Sequence, residues 1–401
     1  MTLTLIVEII LAIYFILAVL YSLIPSMAGK IAFKPYVLPA QRLEKTNRIA
    51  VLIPAYKEDS VIVAVAQRLL TQQYSSDYYD VVVIADSLKE ETLALLRDLP
   101  IELLIVEFEK STKTKSLVFA LQSLKKKYDI ALICDADNIM EDNFLSKINQ
   151  AYNAGHRAIQ GRRVAKNLNT PFAVLDATSE IINNHIYRKG YNALKLSSSL
   201  VGSGMAFNYS DLLDCLQQID AVGGFDRVLQ LYLIDKGHRI LYLENAIIFD
   251  EKVDNSKAFT NQRKRWIASQ YIYLRRYFGK GMKAFFSGNF DYFNASVLYN
   301  IFLPRIVNLG LLFIITILSF FISQVLTISP WFWVVLLLLN LFSLGVAIPK
   351  SFFTGKLFNA LLSLPHVFFI MFLLLFKLRG ADKKFIHTEH SKGDIDDSIP
   401  Y

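Results

Sequence analysis

At 401 residues, with 53% hydrophobic residues and a positive mean hydropathy of +0.35, the chain is longer than one ordinary domain and too apolar to be wholly soluble. Its net charge of +8 is not a nucleic-acid footprint, because the central part has no basic patch interleaved with aromatics. The charge reads instead as attraction of juxtamembrane segments to anionic membrane lipids. Cys134 and Cys215 have no CxxC spacing and no histidine partner, and read as small core residues.

The first element is "LTLIVEIILAIYFILAVLYSLIP" (Leu3 to Pro25), whose only charge is Glu8. At about 1.5 Å per residue it is long enough to cross a hydrocarbon core of about 30 Å. It has no basic leader, short apolar core or small-residue cleavage site, so a retained anchor over residues 1–26 is expected rather than a signal peptide. Lys30, Lys34, Arg42, Lys45 and Arg48 follow closely, the first four within a basic juxtamembrane linker over 27–47. By the positive-inside rule they place the next domain in the cytoplasm and the N-terminus outside.

From Arg48 to Gln270 no apolar span occurs, and short β-branched runs alternate with amphipathic stretches. "RIAVLIPAY" (Arg48 to Tyr56), "YDVVVIAD" (Tyr79 to Asp86), "IELLIVE" (Ile101 to Glu107) and "DIALICDAD" (Asp129 to Asp137) predict buried parallel strands. "DSVIVAVAQRLLTQQ", "KEETLALLRDL" and "TKSLVFALQSLKKK" have helical spacing between them. The series predicts an open, mostly parallel α/β sheet over 48–270, with ligands at the carboxyl ends of its strands.

Asp135 and Asp137 fall where the fourth strand leaves the sheet, and alternate side chains on an extended segment point the same way. Two hard carboxylates with nothing basic nearby in sequence suit Mg²⁺ or Mn²⁺, which bridges such groups to substrate phosphates. A helix cap or turn is the competing role.

"VLIPAYKED", "VVVIADS", "CDADN", "GSGMAF", "FDRVLQLYLIDKGHRILYLENA" and "QRKRW" occur in that order. With this order and spacing the chain resembles the membrane-bound family 2 glycosyltransferases, in the branch with cellulose, hyaluronan and poly-N-acetylglucosamine synthases. The resemblance implies a cytoplasmic GT-A fold (Rossmann-like) between N- and C-terminal transmembrane helices. It implies that Ala55, Tyr56 and Glu58, with Asp86, hold the uridine of a UDP-sugar. Lys113 or Lys115 lies near the nucleotide; the family's usual glycine before the lysine is Thr112 here, which leaves the choice open. Asp135 contacts the nucleotide sugar and Asp137 the metal on its diphosphate. Arg157, Arg162 and Arg163 read as a solvated charged turn, with diphosphate contacts as the competing role, and "GSGMAF" (Gly202 to Phe207) lines the acceptor pocket.

The family's usual Glu-Asp pair is Phe225-Asp226 in this chain. By resemblance Asp226 is the catalytic base; the competing role is a helix N-cap. Phe225 places a hydrophobe beside it, which raises a carboxyl pKa by desolvation or alters the acceptor site. Gln262, Arg263, Arg265 and Trp266 of "QRKRW" are expected on a helix at the membrane surface. There an arginine fork suits phosphate and an indole face suits a sugar ring.

An interfacial amphipathic region is expected over 271–303, then transmembrane helices over 304–378 from Ile306 to Ile322, Trp331 to Ile348 and Leu357 to Phe376, and a polar tail over 379–401. The basic tail "KLRGADKKFIHTEHSK" favours the cytoplasm, so one segment is re-entrant or another crosses near Phe293 to Leu303. His387 and His390 lack further ligands and belong to that tail. The sequence thus predicts an integral protein of the inner plasma membrane that transfers sugar from a UDP-sugar, with inversion, to a polysaccharide or lipid acceptor. A non-catalytic scaffold of the same fold is the competing class.

Overall fold

A computed structural model describes residues 3–36, 45–219 and 224–377. Arg42, most of the basic tail, and His387 and His390 lie outside the described residues. The chain divides into two compact units, a sheet unit from Lys34–Asn169 and Ser197–Val253, and a helical unit from Met1–Phe33, Thr170–Leu196 and Asp254–Arg379.

In the sheet unit the strands are β1 (Ile49–Tyr56), β2 (Tyr79–Asp86), β3 (Glu102–Val106), β4 (Ile130–Ile133), β5 (Ile139–Met140), β6 (Ala158–Ala165), β7 (Met205–Asn208) and β8 (Ile240–Asp250). They form an 8-stranded sheet in the order β3-β2-β1-β4-β7-β6-β8-β5. β1 pairs in parallel with both β2 and β4, and β6 with β8, while β7 and β5 run antiparallel to their neighbours. The chain steps outward from β1 to β3 and then returns to β4 on the other side of β1. That reversal opens a crevice at the carboxyl ends of β1 and β4, where such sheets bind ligands.

β1 is buried on both faces because its side chains alternate. Ile49, Val51 and Ile53 pack with Ile62 and Leu69 of the helix Ile62–Leu69 and with Phe144 and Ile148 of Phe144–Asn153. Ala50 and Leu52 pack on the other face with Leu117 and Leu121 of Lys113–Ser123 and with Leu212 and Leu229. Each fully buried aliphatic contributes roughly 1.5–3 kcal/mol. Cys134 and Cys215 are buried within these two clusters.

Two expectations change here. β4 ends at Ile133, so Asp135 and Asp137 stand on a turn, closed by Asn138 N–H to the Asp135 carbonyl at 3.0 Å, and not on an extended segment. "GHRAIQGRR" is a turn only at its start: Gly155–Arg157 form it with Arg157 exposed, and from Ala158 the chain is strand β6, whose Gln160 and Arg163 find partners elsewhere.

In the helical unit, Leu3–Ile31 and Pro330–Ala347 are long and apolar enough to cross a membrane. The expected span from Leu357 to Phe376 is instead a broken pair, Gly355–Leu361 and Leu364–Leu374, bent by 48°. Phe290–Ile301 and Arg305–Phe321 form a second pair, bent by 55°. Counting each pair as one span gives up to 4 among the described residues. The helix Ser256–Phe286 carries "QRKRW" and runs unbroken beyond it. Gly190 closes the π-helical segment Asn184–Gly190, and a Cβ there would sit 2.1 Å from the Pro25 carbonyl oxygen, so only glycine permits this approach.

Candidate active site

The carboxyl ends of β1, β2 and β4 gather most of the residues singled out in the sequence. Tyr56 and Asp86 are register partners at the ends of β1 and β2, next to Ala55 and the buried Glu58. Asp86 is 2% exposed; its Oδ1 accepts from the Ser87 hydroxyl at 3.0 Å and its Oδ2 is buried with no hydrogen-bond partner among the described residues. A buried carboxylate oxygen left in that state costs free energy unless a ligand donor reaches it. The hydroxyls of a ribose or the N–H of a base are such donors.

Thr112 caps the helix Lys113–Ser123, its hydroxyl accepting from Lys115 N–H at 3.2 Å. The cap gives Thr112 a structural role at this position. The two lysines differ in what they touch. Lys113, first in the helix, ion-pairs with Asp135 and donates to the Gly202 carbonyl at 2.7 Å, whereas Lys115 is exposed and donates to Lys110. The expectation of carboxylates without a cation nearby is therefore corrected: Lys113 comes from 22 residues upstream.

"GSGMAF" forms the other wall. Ser203 Oγ accepts from Asp135 N–H at 2.9 Å and donates to Asn138 Oδ1 at 2.5 Å. Gly204, at φ +62°, lies where a Cβ would meet Ile248 at 2.8 Å. Gln160 holds the loop from β6, donating to the Ser203 carbonyl at 3.0 Å and accepting from Val201 N–H at 3.2 Å.

Asp137 is 5% exposed, its Oδ2 accepting from Glu251 N–H at 3.0 Å and its backbone oxygen from the fully buried Lys166 at 2.9 Å. Asp137 Oδ1 and Asp135 Oδ2 have no hydrogen-bond partner among the described residues. Two free carboxylate oxygens on one short turn suit a hard divalent ion that takes its other ligands from diphosphate and water. Among the described residues there is no group of three or more His, Cys, Asp or Glu that could hold a metal without such help. Beside this turn, Asp250 pairs with Arg163 and with Lys252 at 2.8 Å, all of them in the sheet unit. Arg163 is thus committed to a carboxylate, and Arg157 stands 3.5 Å from Asp211.

Asp226 is the second residue of the helix Phe225–Asp235, and Gly224 takes the cap position in a left-handed conformation. Asp226 is therefore not the N-cap residue. Its Oδ1 accepts from Arg227 N–H at 3.0 Å. Desolvation raises its pKa, against the opposing fields of Arg227 and Lys113. The direction is the one expected beside Phe225, which is itself buried with Leu229 and Leu233.

Gln262, Arg265 and Trp266 belong to the helical unit and lie on the expected helix. The expected arginine fork is divided: Arg263 ion-pairs with Asp176 and stacks on Trp266 at 4.3 Å from the ring centroid. Gln262 Oε1 is buried with no hydrogen-bond partner among the described residues. Ser203, Asn138, Gln160 and Lys166 were not singled out as site residues, although "GSGMAF" and "CDADN" contain two of them.

The model of glycosyltransferase like family 2 matches residues 47–269. The chain belongs to that family. Residues 47–269 are thus a glycosyltransferase-like domain of family 2. It is similar to a probable glycosyltransferase, YdaM, of Bacillus subtilis (strain 168), 22% identical over 250 residues, which are 59% of this chain and 58% of that protein. This chain thus spans little more than half of that relative. Among solved structures it is similar to the mannosyltransferase PcManGT from Pyrobaculum calidifontis in complex with GDP-Man and Mn²⁺, with TM-score 0.50, 14% identity, 91% of this chain and 94% of that one covered. It is also similar to glucosyl-3-phosphoglycerate synthase from Mycobacterium tuberculosis, with TM-score 0.40, 15% identity, and 58% and 82% covered.

Proposed function

We propose that this glycosyltransferase is a hexosyltransferase that moves a sugar, with inversion, from a UDP-sugar to a hydroxyl acceptor at the inner membrane face, in polysaccharide synthesis. The observation that carries the reading is the convergence of Asp86 Oδ2, Lys113 and the Asp135–Asp137 turn at one sheet edge. Asp86, with Ala55, Tyr56 and Glu58, receives the uridine. Asp135 and Asp137 hold Mg²⁺ or Mn²⁺, in keeping with the Mn²⁺ in the similar mannosyltransferase. What a divalent ion supplies there is neutralisation of the charge that develops on the departing diphosphate.

Asp226 takes the proton of the acceptor hydroxyl as that oxygen bonds to the anomeric carbon, and the bond to the diphosphate oxygen breaks with its electron pair leaving on the diphosphate. No covalent sugar–enzyme intermediate is required. In the helical unit, Gln262, Arg265 and Trp266 serve phosphate and acceptor sugar through a cation and an indole face. The proposed organisation is an anchor over 1–26, linker over 27–47, catalytic domain over 48–270 in the cytoplasm, interfacial region over 271–303, membrane helices over 304–378 and tail over 379–401.

A second reading, single transfer to a membrane lipid, draws on the 2 helices, or up to 4 counting bent pairs, that are long and apolar enough to span among the described residues, few for a self-contained polymer conduit. Purified full-length protein incubated with UDP-sugars, GDP-mannose, Mn²⁺ or Mg²⁺ and a membrane extract separates these readings. Release of UDP with a product ladder supports polymer synthesis, one new glycolipid supports single transfer, and no nucleotide release from any donor refutes both.

A further inference from the structure

We infer that the helical unit contains a binding site for a phosphate group, built on Arg305, in addition to the donor site of the sheet edge. The inference holds whether or not that edge transfers sugar. Arg305 stands at the 55° bend between the apolar segments Phe290–Ile301 and Arg305–Phe321. Its Nη2 donates to the carbonyl and hydroxyl of Ser179 at 3.2 and 3.1 Å, and its guanidinium lies 5.6 Å from the Tyr187 ring centroid. Its Nη1 is buried with no hydrogen-bond partner among the described residues.

Nor does any described carboxylate pair with it. Within this unit Glu180 is bonded to Arg188 at 2.7 Å and Asp176 to Arg263, so Arg305 has no direct carboxylate partner among the described residues, although the Glu180 charge acts on it from farther off. An unpaired buried guanidinium in an apolar bundle is costly, and it is retained where an anion completes it.

The space beside it fits that role. Arg305 lines a cavity of about 30 Å³ together with Tyr21, Tyr187, Asn308 and Asn340. Asn340 is 8% exposed, and its carboxamide makes no hydrogen bond among the described residues, so a second buried donor borders the same space. Asn308 is already engaged, accepting from Tyr14 at 2.7 Å and donating to the Leu303 carbonyl at 3.1 Å.

A volume of this size admits about two water-sized groups, too few for a sugar ring and enough for two oxygens of a phosphate. A planar guanidinium with a free N–H edge and a primary amide beside it match such oxygens. Basic pockets between membrane helices take lipid headgroups in this way. A lipid phosphate ester and free inorganic phosphate share this chemistry, and their sizes distinguish them.

The test is equilibrium binding to full-length protein in detergent, with phosphatidic acid, the diacylglycerol of the same chains, and inorganic phosphate as separate titrants. Saturable binding of phosphatidic acid is expected, at least tenfold tighter than diacylglycerol. Arg305→Gln weakens it at least tenfold, Arg305→Lys less, and Asn340→Leu about threefold. Competition by inorganic phosphate at the same affinity assigns the site to free phosphate; failure to compete assigns it to a lipid headgroup. Equal binding of diacylglycerol, or unchanged affinity in Arg305→Gln, overturns the inference. Where Arg305→Gln does not give monodisperse protein, Asn340→Leu decides, and an unchanged affinity there overturns it equally.

Discussion

Lys113 forms an ion pair with Asp135 while its ammonium stands 5.4 Å from the ring centroid of Phe225. One side chain thus links the turn after β4 to the start of the helix that carries Asp226. Phe225 supplies an aromatic face to the same cation.

Lys113→Ala removes a charge-assisted hydrogen bond of about 1.5–3 kcal/mol, so UDP affinity should fall by roughly 10-fold to 100-fold. Lys115→Ala, at the exposed lysine, should stay within about twofold. Calorimetric titration of UDP into both variants checks the pair, and equal losses would reject the choice of Lys113.

The raised pKa of Asp226 has two consequences of opposite sign. As a base it works deprotonated, so transfer should fall with decreasing pH through a limb lying above the ordinary aspartate value of about 3.9. In folding, a raised carboxyl pKa means that the native state binds more protons than the unfolded chain, so the group favours folding below that limb and opposes it above. Asp226→Asn should therefore lower transfer roughly 100-fold to 10,000-fold at neutral pH while the unfolding temperature holds or rises. A drop in both would mark a structural aspartate.

Asp250 is 3% exposed between Arg163 and Lys252. Asp250→Ala leaves two cations without their carboxylate and should cost about 3–5 kcal/mol. Thermal unfolding of the solubilised protein reads this directly, and a change below about 1 kcal/mol would show that water reaches the cluster.

Trp266 is 45% exposed although Arg263 covers part of it. If the indole stacks on the acceptor sugar, Trp266→Ala should reduce transfer about tenfold, equivalent to about 1.4 kcal/mol, and leave UDP affinity within twofold. Parallel loss of both would assign Trp266 to packing.

The parallel half of the sheet was legible because β1, β2 and β4 are buried on both faces and read as unbroken β-branched runs. β6 was not, because "AIQGRRVA" carries Gln160, Arg162 and Arg163 and resembles a surface segment. Gln160 and Arg163 are satisfied by Ser203 and Asp250, 43 and 87 residues away, and local sequence holds no trace of such partners. The same distance hid the contact of Ser203 with Asp135, 68 residues apart, and of Lys166 with Asp137, 29 apart. Asp86 and Lys113 were readable from motif and resemblance, but the orphaned oxygen of the one and the ion pair of the other belong to the fold.

The most direct test of the donor site is UDP binding by full-length protein with and without Mn²⁺, compared between native protein and Asp137→Asn. The substitution keeps an oxygen to accept from Glu251 N–H, so the turn persists while the anionic ligand is lost. The account predicts that Mn²⁺ tightens native UDP binding at least tenfold and that Asp137→Asn abolishes this gain without changing the unfolding temperature by more than a few degrees. UDP affinity that is indifferent to Mn²⁺ in the native protein, or a full Mn²⁺ gain retained in Asp137→Asn, would contradict it.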